Sequence, residues 1–251
     1  MLIPADIPKT AGTSLCNSFL IEQAKRRLGT WIAKHILARS TVKIHGLLRV
    51  GTNYMQALIT KNFNAECLDA AEGGWKHGPC NYESKKKYVF LLKNPYSWLV
   101  SFRDWEVIHN RSTARDLAEF ISQPLSHTRL RDEWGVRVRT PVEAWNVALG
   151  SWLSLYGKPN TIFVRYEDLI NDFHTCLIHI EERLNLNRIK PAFANMQARA
   201  DNWDTPNLRK PLNIYYYINE EYMQEYNSES ISILKERLDA GIMARIGYRL
   251  Y

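Results

Sequence analysis

Between Val42 and Ile59 the chain changes its hydrophobic period. Val42-Lys43-Ile44-His45-Gly46-Leu47-Leu48 is a short, mostly apolar run and reads as a buried strand. Arg49-Val50-Gly51-Thr52-Asn53 reads as a turn, and a helix follows with Tyr54, Leu58 and Ile59 on its inner side. Tyr88-Val89-Phe90-Leu91-Leu92 is the clearest strand, apolar throughout and bounded by lysines. Continuous apolarity, rather than alternation, predicts a strand covered on both faces, as in a parallel sheet. Lys93-Asn94-Pro95 ends it, and a helix starts over Tyr96 to Arg103. Further strands are predicted at Ala65–Leu68 and Thr161–Tyr166. Helices are predicted at 142–155 (opened by Pro141), Ile170–Leu184 and about Asn219–Leu238. Residues 112–134 read as helical and then polar, and 190–215 as loop. Strands alternating with helices predict an α/β fold: a parallel β-sheet flanked by helices on both faces. The expected organisation is one domain over 42–251, preceded by an extension over 1–41 with helical spacing from Ser18 to Leu37.

Composition narrows this picture only a little. The 251 residues suit one α/β domain, and 45% hydrophobic with 24% charged residues is ordinary globular usage. The formal charge of +7, from 33 Lys+Arg against 26 Asp+Glu, suits an anionic ligand; nucleic-acid binding would need a clustered basic face, which the charge balance by itself does not demonstrate. The 8 Trp and 13 Tyr allow a second class, a non-catalytic binder of an anionic polymer or RNA, but the tryptophans sit at helical spacing like core residues. The four cysteines, Cys16, Cys67, Cys80 and Cys176, form no C-x-x-C pair. No metal site is expected, and a reducing compartment is. No apolar run is long enough for a membrane span and no signal-peptide core stands at the N-terminus, so a cytoplasmic protein is expected.

The candidate chemistry starts at the first turn. A strand, a glycine turn and a helix start bring several backbone N–H groups to one point with the positive end of the helix dipole behind them. Thr52 and Asn53 add side-chain donors, which makes a cradle for phosphate or sulfate. An ordinary βα turn with Gly51 at positive φ fits the same residues. A similar string, Lys9-Thr10-Ala11-Gly12-Thr13-Ser14, is a rival anion loop, but its preceding strand is short and broken by Pro4. Farther on, Gly73-Gly74-Trp75-Lys76-His77-Gly78-Pro79 marks an irregular segment where backbone can approach a ligand.

These stations together resemble a sulfotransferase that uses 3'-phosphoadenylyl sulfate (PAPS). The resemblance spans roughly residues 42–248 and implies a P-loop-like fold. Arg49-Val50-Gly51-Thr52-Asn53-Tyr54 resembles the family's 5'-phosphosulfate loop, with Gly51 and Thr52 matching, Asn53 in place of Thr, and Arg49 where a lysine is usual. It implies Tyr54 stacked on adenine. Trp75-Lys76-His77 is similar to the family's Lys-Thr-His segment and implies His77 as the base, with Lys76 and Arg49 neutralising charge on the leaving oxygens. Lys93-Asn94-Pro95, with Ser101 eight residues after Lys93, resembles the 3'-phosphate signature. Lys in place of Arg makes that contact a point charge. Val164-Arg165-Tyr166-Glu167-Asp168-Leu169 resembles a segment whose tyrosine faces adenine, here Tyr166. Leu208-Arg209-Lys210 resembles the segment that closes on the 3'-phosphate, with Pro211 where glycine is usual. The resemblance implies sulfonate transfer from PAPS to a hydroxyl or amine of a small-molecule or carbohydrate acceptor, with 3',5'-ADP as product and no metal, nucleic acid or membrane span. A P-loop kinase or NTPase is the nearest enzymatic rival: Gly46 and Gly51 have its glycine spacing, but Thr52-Asn53 replaces the Lys-[Ser/Thr] ending.

Overall fold

Parallel pairing gathers the ends of four strands along one edge, and the site residues stand there. The computed structural model describes residues 39–69, 74–134, 138–195 and 213–251. Ser40–Tyr251 form one compact unit. The rival loop at Lys9–Ser14, and Arg209 and Lys210, lie outside the described residues.

The elements in chain order are β1 (Ser40–His45), α1 (Thr52–Asn62), β2 (Ala65–Cys67), β3 (Lys87–Leu92), α2 (Pro95–Ile108), α3 (Leu117–Ser122), α4 (Thr128–Glu133), α5 (Pro141–Leu153), β4 (Thr161–Arg165), α6 (Tyr166–Asn171), α7 (Phe173–Leu184), α8 (Ile214–Ile218), a 3-10 turn (Glu221–Glu225), α9 (Ser228–Arg237) and α10 (Ala240–Arg245). The sheet order is β2-β1-β3-β4. All pairs are parallel, with Ile44 opposite Val89 and Phe90 opposite Phe163. Helices pack against the sheet in the α/β architecture expected of β3, whose residues after Lys87 are all buried. In such sheets ligands bind outside the carboxyl ends of the strands. Among the described residues no helix is long and apolar enough to cross a membrane.

Local chemistry explains where the elements begin and end. Helix α2 starts at Pro95 with the Asn94 side chain accepting from the Tyr96 N–H, and α5 starts at Pro141 with a full capping box between Thr140 and Glu143. Three elements depart from expectation. The helix expected over about Asn219–Leu238 is a 3-10 turn at Glu221–Glu225 and then α9, because Tyr226 is extended and Asn227 starts a new helix by accepting from the Ser230 N–H. β1 stops at His45 rather than Leu48, because the Gly46 N–H donates to the Lys76 carbonyl at 3.0 Å instead of to a neighbouring strand. The helix expected over 170–184 is two helices, α6 and α7. Asp172, at φ −142° and ψ 76°, breaks the run and caps α7 by accepting from the Thr175 N–H at 3.0 Å. Tyr166 therefore opens a helix instead of closing a strand.

Tryptophans that the helical spacing marks as core residues also hold the strand-end loops. Trp98, Trp145 and Trp152 are buried. Trp98 Nε1 donates to the Leu48 carbonyl at 2.7 Å, Trp145 Nε1 to Lys93 at 3.2 Å and Trp152 Nε1 to Gly78 at 3.2 Å. Each ring supplies apolar area and one donor, so each of three loops is anchored to the core through one carbonyl.

His45, the last residue of β1, is fully buried, and its ring stacks against those of Phe90 and Tyr88 at 5.5 and 6.3 Å. Neither ring nitrogen makes a hydrogen bond of ordinary geometry among the described residues, and a looser backbone interaction with Gly78 favours the protonated form. Burial, then the Lys43 charge, lower its pKa to about 4. The folded ring is thus neutral where the unfolded one, with an ordinary pKa of about 6.5, takes a proton. This term stabilises the fold above pH 6.5 and is lost as pH falls toward 4. Replacing His45 with Phe is expected to flatten the acid loss of stability over that window by on the order of 3 kcal/mol, read from urea midpoints at a series of pH values. An unaltered slope would count against this account.

Candidate active site

The loop between β1 and α1 turns tightly because two of its glycines leave no room for a side chain. A Cβ on Gly46 would stand 2.6 Å from Val50 Cγ2 and 2.8 Å from the Leu91 carbonyl oxygen. Gly51 has φ +92°, and a Cβ there would stand 2.6 Å from the Tyr166 ring. Arg49 also takes left-handed backbone, at φ 67°. Such turns aim successive N–H groups inward, in the manner of anion-binding concavities. Gly51 caps α1 without a side-chain hydrogen bond, and the first turn of α1 holds no acid. Among the described helices only α1 combines these two features. The N-termini of α2, α5 and α7 are closed by Asn94, Thr140 and Asp172. The positive end of the α1 dipole is thus offset by no acidic side chain of its own first turn and by no side-chain cap, which suits an anion there.

The segment Trp75–His77 lies against the base of this loop. Gly46 and Lys76 are joined through N–H to carbonyl, and the Gly46 carbonyl receives His77 Nδ1 at 2.6 Å. A carbonyl only accepts, so Nδ1 carries the proton and Nε2 holds the lone pair of the neutral ring. His77 is buried, with the Trp75 ring edge-on at 5.0 Å. Burial dominates in lowering its pKa to about 3; the Gly46 bond opposes this, and the Lys76 charge adds to it. Lys76 Nζ donates to Asn53 Oδ1 at 2.5 Å, linking this segment to the first turn of α1. Burial and the charge of Lys43 both lower the Lys76 pKa.

From the other side, Lys93 follows β3 directly and is almost fully buried. Its Nζ lies 3.4 Å from the Arg49 carbonyl and 3.5 Å from the Tyr217 hydroxyl. It also stands over the rings of Tyr166 and Tyr217 at 5.1 and 5.2 Å. Glu167 braces the turn after Lys93. Its carboxylate accepts from the Asn94 N–H at 3.0 Å, the Ser97 hydroxyl at 3.2 Å and the Tyr248 hydroxyl at 2.7 Å. Tyr54 is buried, and its hydroxyl donates to Asn195 at 2.6 Å.

Most sequence-predicted site residues therefore meet at one edge. Arg49, Val50, Gly51, Thr52 and Asn53 form the turn and the first positions of α1. Lys76 and His77 abut it, Lys93 touches the backbone of Arg49, and Tyr166 packs on Gly51. Ser101 lies half-buried on α2, two turns in, with no described bond to Lys93. Sequence reading did not anticipate Tyr217 beside Lys93, Glu167 as the brace, or Asn195 on Tyr54. Tyr217 lies in a run of three tyrosines with no period to single it out, and the other two are ordinary polar residues until the fold brings their partners near.

Comparison with known proteins decides what this arrangement belongs to. The family model described as "Sulfotransferase domain" matches residues 77–210, more than half of the chain. The chain belongs to the sulfotransferase domain family. The match includes His77, Lys93, Ser101, Tyr166, Arg209 and Lys210 and starts after Arg49–Tyr54 and Lys76, so for those residues of the sulfotransferase the motif resemblance and the geometry stand alone. Among solved structures, mouse sulfotransferase SULT7A1 complexed with PAP superposes with a TM-score of 0.53 at 16% identity, covering 84% of this chain and 87% of that one. At that identity the likeness is one of fold. A sulfotransferase from Alicyclobacillus acidocaldarius gives a TM-score of 0.45 at 12% identity, covering 85% of this chain and 98% of that one. No curated protein matches the sequence. The fold and enzyme class expected of the sulfotransferase from its short motifs are those found.

Proposed function

We propose that this enzyme transfers the sulfonate group of PAPS to a hydroxyl or amine of a small-molecule or carbohydrate acceptor, releasing 3',5'-ADP. The observation that carries this reading is the approach of Lys93 Nζ to within 3.4 Å of the Arg49 carbonyl. It puts a cation that follows β3 beside the turn between β1 and α1, so one nucleotide can be gripped at both phosphorylated ends. Arg49, Val50, Gly51, Thr52 and Asn53 would hold the 5'-phosphosulfate, with the N-terminus of α1 behind them. Lys93 would hold the 3'-phosphate, together with Ser101, Arg209 and Lys210. Tyr166, packed on Gly51, and Tyr54 supply the aromatic surface for the adenine. No metal is assigned a role.

In the transfer step the acceptor oxygen or nitrogen attacks sulfur in line. Its proton passes to His77 Nε2, the one ring nitrogen with a lone pair. The bond from sulfur to the bridging oxygen breaks, and the electron pair leaves with 3',5'-ADP. Lys76 and Arg49 balance the charge that builds on the leaving oxygens. Asn53, by accepting from Lys76, sets the ammonium beside the turn. The unpaired thiols of Cys67, Cys80 and Cys176 suit a reducing compartment, and we place the enzyme in the cytoplasm.

Titration calorimetry with 3',5'-ADP against ATP, followed by a radiolabelled-sulfate transfer screen over hydroxyl and amine acceptors, tests the proposal. Tight binding of 3',5'-ADP with weak binding of ATP is expected. Magnesium-dependent ATP hydrolysis, or preference for ATP, would replace it with the P-loop kinase reading.

A further inference from the structure

One charged side chain of the sheet has no part in the proposed chemistry. Lys43 is the fourth residue of β1 and is almost fully buried. A buried ammonium is costly unless its donors are met. Here they are met by backbone carbonyls from both sides of residues 70–73. Lys43 Nζ donates to the Asp69 carbonyl at 2.5 Å, to Gly74 at 2.6 Å and, at a longer 3.5 Å, to Leu68. Gly74 immediately precedes Trp75-Lys76-His77.

That segment is then held at every second residue by a different device: Gly74 by Lys43, Lys76 by the Gly46 N–H, and Gly78 by the Trp152 indole. Two of these holds are neutral and would survive many substitutions. The Lys43 contact joins the incoming chain after β2 to the start of the segment through one point. The Lys43 charge also adds to burial in lowering the pKa of the Lys76 amine.

We propose that Lys43 is a positioning residue for sulfonate transfer: by fastening the carbonyls of Leu68, Asp69 and Gly74 from within the sheet, it sets where Lys76 and His77 stand against the anion turn. This rests on the assignment of His77 and Lys76 to the transfer step. Lys43 itself touches neither nucleotide nor acceptor.

The test uses Lys43→Met, which keeps the length and loses the charge, and Lys43→Gln, which keeps donors. Three quantities are read: kcat for transfer from PAPS, the Kd of 3',5'-ADP, and the tautomer of His77 by NMR of isotopically labelled histidine. In either folded variant kcat should fall about ten- to a hundredfold, since misplacement by about 1 Å can cost that much. The Kd of 3',5'-ADP should stay within about threefold, because the turn and Lys93 are untouched. The Nδ1-protonated signal of His77 should give way to a mixture of tautomers, and the basic limb of the kcat profile should move to higher pH as Lys76 loses its positive neighbour. Unchanged kcat and tautomer would overturn the proposal. So would an equal loss in nucleotide affinity, or unfolding of both variants, which would make Lys43 a stability residue only. If the wild-type protein neither binds 3',5'-ADP nor transfers sulfonate, the functional reading has failed, and the His77 spectrum still judges Lys43.

Discussion

His77→Ala is expected to lower kcat by about 10²- to 10⁴-fold while changing the affinity for 3',5'-ADP by less than about threefold, because general-base assistance acts in the transition state and not on the bound nucleotide. The physical ground is the hydrogen bond from Nδ1 to the Gly46 carbonyl. It fixes the tautomer and leaves Nε2 to receive the acceptor proton. The pH dependence follows with a definite sign. The reactive form is the neutral ring, and burial lowers its pKa to about 3 in the free enzyme. Activity that depends on neutral His77 is therefore lost only as pH falls through that low range, so kcat/KM should keep its plateau well below the ordinary histidine pKa of about 6.5. A proton with that pKa is held weakly, and the cost of accepting it is met in the transition state by the negative charge developing on the sulfonate oxygens and leaving phosphate. An acid limb near pH 6.5 that vanished in His77→Ala would place the ring in water. Near-normal turnover of the variant would remove the base assignment altogether.

The second large effect is expected at Lys93. Lys93→Ala should weaken 3',5'-ADP by about ten- to a hundredfold, the usual range for losing a charged hydrogen bond of about 1.5–3 kcal/mol. AMP, which lacks the 3'-phosphate, should lose less than about threefold. Calorimetry of both nucleotides against both proteins measures this directly. The contrast matters because Lys93 also contacts the Arg49 carbonyl and the Tyr166 and Tyr217 rings. If removing it merely loosened the turn, both nucleotides would suffer alike, and the assignment of this end of the site to a 3'-phosphate would fall.

Individual residues show how far linear order reached. Gly51 was legible because a strand, a glycine and a helix in succession have few alternatives, and its φ of +92° is what that turn demands. Lys93 and Asn94 were legible because a fully apolar strand ending in Lys-Asn-Pro must stop there, with Asn as helix cap. Lys43 was not legible as a tether. Inside an apolar run it reads as one polar position in a strand, and its three carbonyl partners lie more than twenty residues away. Glu167 was visible only as part of a motif. That it braces Asn94 and Ser97 depends on β3 and β4 being neighbours in the sheet. The extent of β1 was misjudged for a similar reason. Whether Gly46 continues the ladder depends on what competes for its N–H, and the competitor is Lys76, thirty residues on.

Periodicity and turn chemistry thus determined by themselves the α/β class and the places where strands give way to helices, while the resemblance of short motifs to a known family pointed to a sulfotransferase. These are properties of neighbours along the chain, where apolar spacing, φ preference and capping act over a few residues. The tertiary structure alone decided which turns face one another, that His77 carries its proton on Nδ1, and that Lys93 reaches the backbone of Arg49. Those features need groups distant in sequence to be brought within hydrogen-bond reach, and burial to exclude the water that would otherwise satisfy them. Nothing in local composition encodes such partners until the parallel sheet has set the order of its strands.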